Sequence, residues 1–382
     1  MPRQTPPAKG PHDLHDTIVS IDCFPAVLKL VKPIIMSTYR IDEGRSLFVR
    51  IRTRSGAEGW GEAAANAVMS GDTLPGMIAA IKEYLTPRLL GASPFERAAL
   101  SRTLRHQLFG NGGAKTAVDM ALLDLAGKIA GVPAVELLGG AIRRSATVLR
   151  LVGGSGEPGK DVDEVSGLVA AGFKAFKIKV GVAPVDKDIE TVRRLSDAFG
   201  SSVLLAADAN MGWDVATASL FTRGVSEYGL AFLEQPVPPG SIETMAAVAR
   251  ISSVPLGADE AIHGFADIDA HVRAGAIGGV SLKTIKLGGI TPLVSIAHAC
   301  DALGLCVNLA MLMESSLASA AMLHAAAAVP NVDWGFSVGS LTIATDPVVA
   351  GLEISDGLIH LPKTAGLGVQ VDEARLRKLA PS

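Results

Sequence analysis

The chain has 382 residues, which is too long for one ordinary compact domain and predicts two units or a barrel with an appendage. Hydrophobic residues make up 48% of it, and 35 Lys and Arg against 38 Asp and Glu give a formal net charge of -3. This composition predicts a globular protein with a large core. It excludes the strongly basic surface that nucleic acid or an anionic membrane would attract.

The three cysteines, Cys23, Cys300 and Cys306, contain no C-x-x-C pair, so neither a disulfide framework nor a thiolate zinc site is predicted. Residues 1–16 are polar and contain proline, and they lack the apolar stretch of a secretory signal. We interpret them as a flexible tail. No apolar stretch reaches the roughly 18 residues needed to span a bilayer, so we expect a cytoplasmic protein with no membrane partner.

After the tail, the first 140 residues show two sequence patterns, one strand-like and one helical. Residues 17–61 are strand-like, and the segment 46–53 (SLFVRIRT) alternates apolar and polar side chains, which predicts a small antiparallel sheet. Residues 73–131 carry apolar side chains at three- and four-residue steps, which predicts helices. Residues 17–140 are therefore predicted to form an α+β unit.

After residue 140, short apolar runs alternate with helical segments, a pattern typical of β-α units over a parallel sheet. The candidate strands are residues 147–152, 175–180, 203–207, 231–233, 255–258, 279–285 and 305–309. Their regular spacing predicts a closed (β/α) barrel with roughly eight strands.

Polar residues follow five successive strands of this predicted barrel. Lys179, Asp208, Glu234, Asp259 and Lys283 are separated by 29, 26, 25 and 24 residues, and each lies at or near the carboxyl end of an apolar run. In a barrel these ends form one rim, where barrel enzymes place their chemistry. The spacing therefore predicts an active site.

The three acids of this series predict a metal centre. Converging carboxylates repel one another unless a cation lies between them, and an all-oxygen ligand set suits Mg²⁺, with Mn²⁺ as a substitute. Any one of Asp208, Glu234 and Asp259 alone would be better explained as a helix cap. Three acids at regularly spaced strand ends, between two lysines, favour a metal site.

The lysines flank the acids in the sequence. Lys177 and Lys179 alternate onto one face of a strand, and two ammonium groups inside a barrel require an anionic centre. Strand order places Lys179 and Lys283 on opposite sides of that centre, where each could reach one face of the same carbon. We expect a lysine crowded by another ammonium group and by Mg²⁺ to have a lowered pKa, as a general base near neutral pH requires.

The chemistry that needs these parts is abstraction of a proton α to a carboxylate, because the resulting enolate requires a metal and cationic groups to stabilise it. One lysine removes the proton. The second can return it to the opposite face, which gives racemisation or epimerisation, or can remain a cation while another bond breaks.

Several short segments together resemble the enolase superfamily, specifically its muconate-lactonizing-enzyme subgroup. They are Lys177-Ile-Lys179, Asp208-Ala-Asn210, Glu234-Gln-Pro236, Asp259-Glu260, Ser281-Leu-Lys283 and Gly288-Gly289. The resemblance begins near residue 17 and also includes Trp60-Gly-Glu62, Asp119 to Asp124, Leu138-Gly-Gly140 and Gly366-Leu-Gly368.

The resemblance implies an α/β fold, a modified (β/α)7β TIM-like barrel over residues 141–350. An α+β capping domain would combine residues 17–140 with a C-terminal segment, 351–382. It also implies a homo-oligomer that acts on a small-molecule carboxylate.

The resemblance also assigns site residues. Asp208, Glu234 and Asp259 correspond to Mg²⁺ ligands, Lys179 and Lys283 to the acid/base pair, and Lys177 to the cation that steadies the enolate. Further residues match positions near the metal or the substrate: Asn210, Glu260, Lys286, Glu314, Tyr39 and Arg40. Glu314 could equally cap the helix that begins near Ser315.

The sequence constrains the identity of the substrate less than the type of reaction. The seventh strand (Cys306 to Ala310) lacks the histidine of the mandelate-racemase subgroup, and Asp333-Trp-Gly335 lacks the Asp-x-Asp pair of dipeptide epimerases. The capping loops 33–42 and 63–73 match no named specificity. We favour epimerisation of an amino-acid derivative, with cycloisomerase, dehydratase and succinylbenzoate-synthase-like reactions as alternatives.

Two other classes stay open. An aldolase-type barrel would use Lys179 or Lys283 as a Schiff-base nucleophile, but it leaves the three acids unexplained. A non-enzymatic protein that inherited a barrel would be expected to have lost at least one member of the constellation. The G-x-G-x-x-G match at Gly154 to Gly159 is better explained as a flexible rim loop, because Pro158 disrupts the phosphate-binding turn.

Overall fold

The computed structural model describes residues 16–349 and 351–381. The predicted tail, residues 1–16, lies outside the described residues except for Asp16. The Asp16 carboxylate accepts hydrogen bonds from the backbone N–H of Ser55 at 3.1 Å and from its hydroxyl at 2.5 Å.

The described strands and helices follow the predicted order. The strands are β1 (Ile18–Ile35), β2 (Arg40–Thr53), β3 (Glu58–Ala64), β4 (Ser145–Thr147), β5 (Leu149–Gly153), β6 (Ala175–Lys179), β7 (Leu204–Asp208), β8 (Leu233–Glu234), β9 (Leu256–Ala258), β10 (Gly279–Leu282), β11 (Cys306–Leu309), β12 (Ile354–Ser355) and β13 (Leu358–His360). The helices are α1 (Leu74–Ala79), α2 (Thr86–Leu89), α3 (Arg97–Gln107), α4 (Gly112–Ala130), α5 (Pro158–Ala170), α6 (Val185–Phe199), α7 (Val215–Gly224), α8 (Ile242–Ala249), α9 (Phe265–Arg273), α10 (Thr284–Leu287), α11 (Ile290–Ala302), α12 (Ser316–Ala328) and α13 (Glu373–Arg377).

The N-terminal part is an antiparallel sheet, in the order β1-β2-β3, packed on helix α4. The sheet approaches the helix so closely that a Cβ atom at Gly61 would lie 2.0 Å from the carbonyl oxygen of Ala117. Glycine is therefore required at this position of β3. Helix α4 ends at Gly131, whose φ of 72° is the left-handed conformation that glycine adopts without strain.

Seven parallel strands, β5 to β11, form one curled sheet in sequence order. A single residue of the eighth strand closes it, because Phe336 bridges to Val148 on one side and to Leu309 on the other. The fold is an α/β TIM-like barrel with an N-terminal cap, as predicted. Each candidate strand overlaps an observed one, but the prediction for residues 279–285 was too long, because the chain turns into helix α10 at Thr284.

Alternation along the strands separates a barrel interior from a helix-facing exterior. On β6, Phe176 and Ile178 pack outward against the surrounding helices, whereas Ala175 faces inward. The interior floor is filled by a small apolar cluster in which the rings of Phe232 and Trp334 stack with centroids 4.2 Å apart. Inward-facing residues later in each strand therefore lie above a closed floor.

The C-terminal segment first pairs with the start of the barrel, where β12 and β13 form a hairpin and β13 pairs with β4. Helix α13 then packs on β1, and the N–H of Val27 donates to the carbonyl of Leu379 at 2.7 Å. In the described part of the chain, no helix combines the length and the apolar character that crossing a membrane requires.

Candidate active site

The predicted rim residues converge at the carboxyl ends of the barrel strands. Strand register places Lys179 beside Asp208, and Asp208 beside Glu234. Lys283 follows β10 directly and lines the same cavity as these three residues. Asp259 follows β9 and is fully buried against Lys283. Residues spread over more than one hundred positions thus share one site, which the spacing predicted.

On one side of the cavity, buried lysines neutralise two of the acids. The Lys179 Nζ donates to Asp208 Oδ2 at 2.7 Å and to Asn210 Oδ1 at 2.5 Å. The Lys177 Nζ donates to Glu234 Oε2 at 2.7 Å. All five side chains are buried, so these pairs supply the charge compensation that a barrel interior requires.

On the other side, two lysines hold one acid. The Lys283 Nζ donates to Asp259 Oδ2 at 2.5 Å, and it also contacts the Met69 sulfur at 3.4 Å. The Lys286 Nζ donates to Asp259 Oδ1 at 2.6 Å and to the Asp259 carbonyl. Lys286 therefore holds the second oxygen of the Asp259 carboxylate, and its predicted position near a metal stays a prediction.

The charge environment of Lys283 differs from the sequence expectation. Burial alone would lower its pKa, but contact with Asp259 and the nearby Glu260 and Glu234 raise that pKa above its usual value. Burial alone would raise the pKa of Asp259. The ammonium groups of Lys283 and Lys286 outweigh this effect and hold that pKa well below its usual range. The lowering of the pKa predicted for these lysines assumed a bound Mg²⁺ as well as a second ammonium group and stays a prediction; with the Asp259 carboxylate as its nearest partner, the pKa of Lys283 is raised.

Glu234 has one carboxylate oxygen without a partner. Its Oε2 accepts from Lys177 and, at 2.9 Å, from the Ser281 hydroxyl, but its Oε1 is buried with no hydrogen bond. Burial, together with the neighbouring Asp208 and Asp259 carboxylates, raises the pKa of Glu234 to about 7. An orphaned buried oxygen is costly and marks the place where a further ligand is needed.

The oxygen donors of this site bear on whether it fits a hard divalent cation. Within residues 16–349 and 351–381, no three His, Cys, Asp or Glu side chains are grouped so that they could hold a metal ion as they stand. The reason is that Asp208 and Asp259 are each drawn towards lysines. The donors are nevertheless all carboxylate oxygens, and the unpartnered Oε1 of Glu234 lies among them, so the residues fit such a cation.

Asn210 and Glu260 lie where the sequence placed them, next to the lysine–acid pairs. Asn210 adopts a φ of 42°, and its backbone N–H donates to Asp208 Oδ1 at 3.0 Å. Its side-chain Nδ2 donates to Glu260 Oε1 at 3.0 Å. This chain of hydrogen bonds fixes the orientation of both Asp208 and Lys179.

The two site residues predicted in the first capping loop, Tyr39 and Arg40, lie in different environments in the structure. Tyr39 is half-buried, and burial raises its pKa while the charge of Lys283 acts against that rise, so its hydroxyl lies near the site. Arg40 is 57% exposed and pairs with Asp42 at 2.7 Å. The structure does not bring Arg40 to the cavity, because successive residues of an extended chain point to opposite sides.

Glu314 is not the N-cap of helix α12, so that one of its two predicted roles was wrong, and its role near the metal or substrate stays a prediction. Its carboxylate accepts from the backbone N–H of Leu312 at 3.1 Å and of Ala64 at 3.4 Å, which ties the loop after β11 to β3. Helix α12 is capped instead by Ser315 and by Glu62, which accepts from the Ser315 N–H at 3.0 Å. Glu62 belongs to the motif Trp60-Gly-Glu62, but the sequence did not reveal its role as a helix cap.

The sequence also missed the apolar wall of the cavity. Ile34 and Met36 of the cap line the cavity together with Met311 and Met313 of the loop after β11. Only the position of Ile34 and Met36 within capping loop 33–42 signalled this wall. The site thus combines charged groups at the strand ends with an apolar wall, as in many small-molecule sites.

Comparison with known protein families agrees with this architecture. Residues 19–139 match the family "Mandelate racemase / muconate lactonizing enzyme, N-terminal domain", and residues 160–375 match "Enolase C-terminal domain-like". The chain belongs to the enolase superfamily, in its muconate-lactonizing-enzyme subgroup. The predicted family is confirmed, and with it an enzyme of the isomerase type.

Individual relatives span almost the whole chain. A chloromuconate cycloisomerase of Cupriavidus pinatubonensis is 30% identical over 339 residues, 88% of this chain and 91% of its own. The N-succinyl-L-Arg/Lys racemase of Bacillus cereus is 26% identical over 95% of this chain and 97% of its own. The structure of muconate lactonizing enzyme from Pseudomonas fluorescens, solved with muconolactone, superimposes with a TM-score of 0.91 at 27% identity, covering 96% of this chain and 100% of its own.

Proposed function

We propose that this protein removes a proton from the carbon α to a carboxylate of a small, amino-acid-derived substrate and returns it to the opposite face. One observation carries the proposal. Lys179 of β6 and Lys283 after β10 line the same cavity, and the acid-bearing strand ends of β7 to β9 lie between them. Two bases on opposite sides of one bound carbon are what racemisation or epimerisation requires.

Asp208, Glu234 and Asp259 would hold a divalent cation, Mg²⁺ or its substitute Mn²⁺. The orphaned Oε1 of Glu234 supports this assignment, because it is the oxygen in this group that the protein leaves unsatisfied. When bound, the cation supplies positive charge that stabilises the negative charge developing on the substrate carboxylate.

The remaining charged groups would support the two bases. Lys177 faces the interior beside Glu234, where its ammonium can steady the enolate. Asn210 and Glu260 hold Lys179 and Asp208 in place, and Lys286 holds Asp259. These contacts position the reacting groups before substrate arrives, which is where much of enzymatic rate enhancement originates.

A second candidate is cycloisomerisation of an unsaturated dicarboxylate. The similarity to a chloromuconate cycloisomerase over 88% of this chain favours it. In that reaction only one lysine would transfer the proton, and the other would act as a cation.

The proposal is tested by following α-deuteration in D₂O by NMR. A library of N-acylated and N-alkylated amino acids is incubated with the Mg²⁺-loaded enzyme, and a sample treated with chelator serves as the control. We expect at least one derivative to exchange its α-proton and to racemise, only when the cation is present. Exchange of no library member, together with turnover of muconate, would replace the proposal by the second candidate.

We also propose that the enzyme works as a homo-oligomer in the cytoplasm. Phe109, which is 99% exposed, is an aromatic side chain of the kind that an interface with a second copy buries. Light scattering of the purified protein measures the oligomeric state, and a monomer at micromolar concentration would contradict this part.

A further inference from the structure

A turn of unusual conformation follows strand β7, where it carries Asp208 and Asn210 into the site. Asn210 and Met211 have φ angles of 42° and 65°, so two successive residues other than glycine adopt the left-handed conformation. Such a conformation costs free energy and persists only where surrounding groups hold it in place. Residues 208–212, the left-handed turn, therefore depend on further contacts for their shape.

The turn and the neighbouring barrel loop satisfy the N–H groups of the turn. The Met211 N–H donates to the carbonyl of Gln235, after β8, at 2.8 Å. The Gly212 N–H donates to the Ala209 carbonyl at 2.9 Å. The carbonyl side of the turn is contacted instead by the cap.

Ser37, in the first capping loop, makes that contact. Its hydroxyl lies 2.6 Å from the Ala209 carbonyl oxygen and 3.1 Å from the Asn210 carbonyl oxygen, so it donates to the pair of them. Two glycines leave room for it. A Cβ atom at Gly212 would lie 2.5 Å from the Ser37 Cβ, and one at Gly181 would lie 3.2 Å from it. Ser37 thus fits closely against the left-handed turn.

The left-handed turn supports one of the two proposed bases. The Asn210 Oδ1 accepts from the Lys179 Nζ, so a change in the turn moves the hydrogen-bond partner of that ammonium group. Lys283 instead donates to Asp259 and contacts the Met69 sulfur, and both of these residues lie outside the turn. The contact made by Ser37 therefore leads to Lys179 and not to Lys283.

We infer that Ser37 is a positioning residue for Lys179, on which it acts through the left-handed turn and Asn210. The inference rests on the proposed function, since it takes Lys179 to serve one face of the substrate carbon. It means that the cap fixes the geometry of this base by hydrogen bonding to the backbone of the barrel, without itself touching the ammonium group. Loss of the Ser37 hydroxyl should weaken only the proton transfer that Lys179 performs.

Two double variants test the inference. Ser37→Ala is combined with Lys283→Met, which leaves Lys179 as the base, and with Lys179→Met, which leaves Lys283. The kcat and KM of α-proton exchange are measured in D₂O, at saturating Mg²⁺, with an active N-acylated amino acid from the library. Beside Lys283→Met, we expect Ser37→Ala to lower kcat about 3- to 10-fold, the range for one neutral hydrogen bond, and to leave KM unchanged. Beside Lys179→Met, it should change neither value, because the residue it acts through is absent.

Amide hydrogen exchange of the metal-free protein, followed by mass spectrometry, gives a readout that needs no substrate. In Ser37→Ala, the peptide that covers residues 208–212 should exchange about 3- to 10-fold faster than in wild type. A peptide that covers β10 serves as the internal reference and should not change. Thr38→Ala is the matched control, since it removes an exposed hydroxyl from the next residue, and it should match wild type in every measurement.

An equal fall in kcat beside both lysine variants would show a general structural role and would overturn the inference. Exchange of the 208–212 amides at the wild-type rate in Ser37→Ala would overturn it as well. If no library member exchanges its α-proton, the proposed function fails, and the amide exchange still decides whether Ser37 holds the left-handed turn.

Discussion

Two groups of buried acids in this protein have different kinds of partner. At the junction between cap and barrel, Asp124 accepts from the backbone N–H groups of Trp60 and Leu367, each at 2.9 Å, and from the part-exposed Lys128 Nζ at 2.6 Å. Glu62 accepts from the N–H and the hydroxyl of Ser315. In the cavity, by contrast, the ammonium group of Lys177 is the charged partner of Glu234, and Asp208 accepts from Lys179 at 2.7 Å as well as from the Asn210 N–H.

The difference separates structural from functional acids. Backbone amides are fixed by the fold, so an acid that they satisfy cannot change partners without unfolding its surroundings. A lysine ammonium group is carried on a flexible stem and can move aside when a ligand arrives. The unpartnered Oε1 of Glu234 belongs to the second kind of centre, which is why we assign chemistry there and stability to the junction.

The largest expected effect comes from Glu234→Gln, which removes a proposed cation ligand. We expect α-proton exchange to fall about 1,000-fold, within the range for the loss of a group that stabilises developing charge, and Mg²⁺ binding measured by calorimetry to weaken. Asp124→Asn is the matched variant at the junction. It should lower the free energy of unfolding by about 2 kcal/mol and leave Mg²⁺ binding unchanged. The opposite pattern would remove the distinction between the two groups.

At the junction itself, Gly61→Ala should be strongly destabilising. Its Cβ would lie 2.0 Å from the Ala117 carbonyl oxygen and 2.6 Å from the Ala121 nitrogen, both backbone atoms that cannot yield easily. We expect a loss of about 3 kcal/mol in the free energy of unfolding, measured with urea. Gly167→Ala, in exposed helix α5 with open space around it, should instead stabilise the protein by about 0.5–1 kcal/mol. Similar effects of the two variants would contradict the close packing of β3 on α4.

A smaller effect concerns pH. Burial lowers the pKa of His324 to about 4, and the neutral ring accepts from the Val135 N–H and reaches the Leu367 carbonyl. Its pKa in the unfolded chain is about 6.5, so its contribution to stability is complete above that pH and is lost as the pH falls towards 4.

Between pH 7 and pH 5 this loss should reach about 2 kcal/mol. His324→Gln removes the titrating group, so its free energy of unfolding should depend less steeply on pH over that interval. Urea unfolding of both proteins across the interval measures the difference, in which the contributions of all other groups cancel. Parallel curves would show that His324 is not held neutral in the junction.

The barrel and its rim could be predicted because they depend on local regularities. Strand ends repeat at intervals of 24 to 29 residues, and parallel register then brings Lys179, Asp208 and Glu234 together without further information. The eighth strand was harder to place, since Phe336 alone forms its bridges and a single residue carries no periodicity.

What could not be predicted depends on partners far apart in the sequence. Glu62 meets Ser315 across 253 residues, so its role as a helix cap leaves no local signal. The orientation of Arg40 and the carboxylate contact that raises the pKa of Lys283 likewise arise from packing. The catalytic and metal-binding roles stay predictions, supported by the placement of the residues.

The central claim, that Lys179 and Lys283 serve opposite faces of one carbon, is tested most directly by exchange of each enantiomer of a single active substrate in D₂O. Wild type should deuterate both. Lys179→Met and Lys283→Met should each lose racemisation by at least about 10²- to 10⁴-fold, yet each should still exchange the α-proton of one enantiomer, with opposite preferences. Exchange of both enantiomers by either variant would contradict the two-base account.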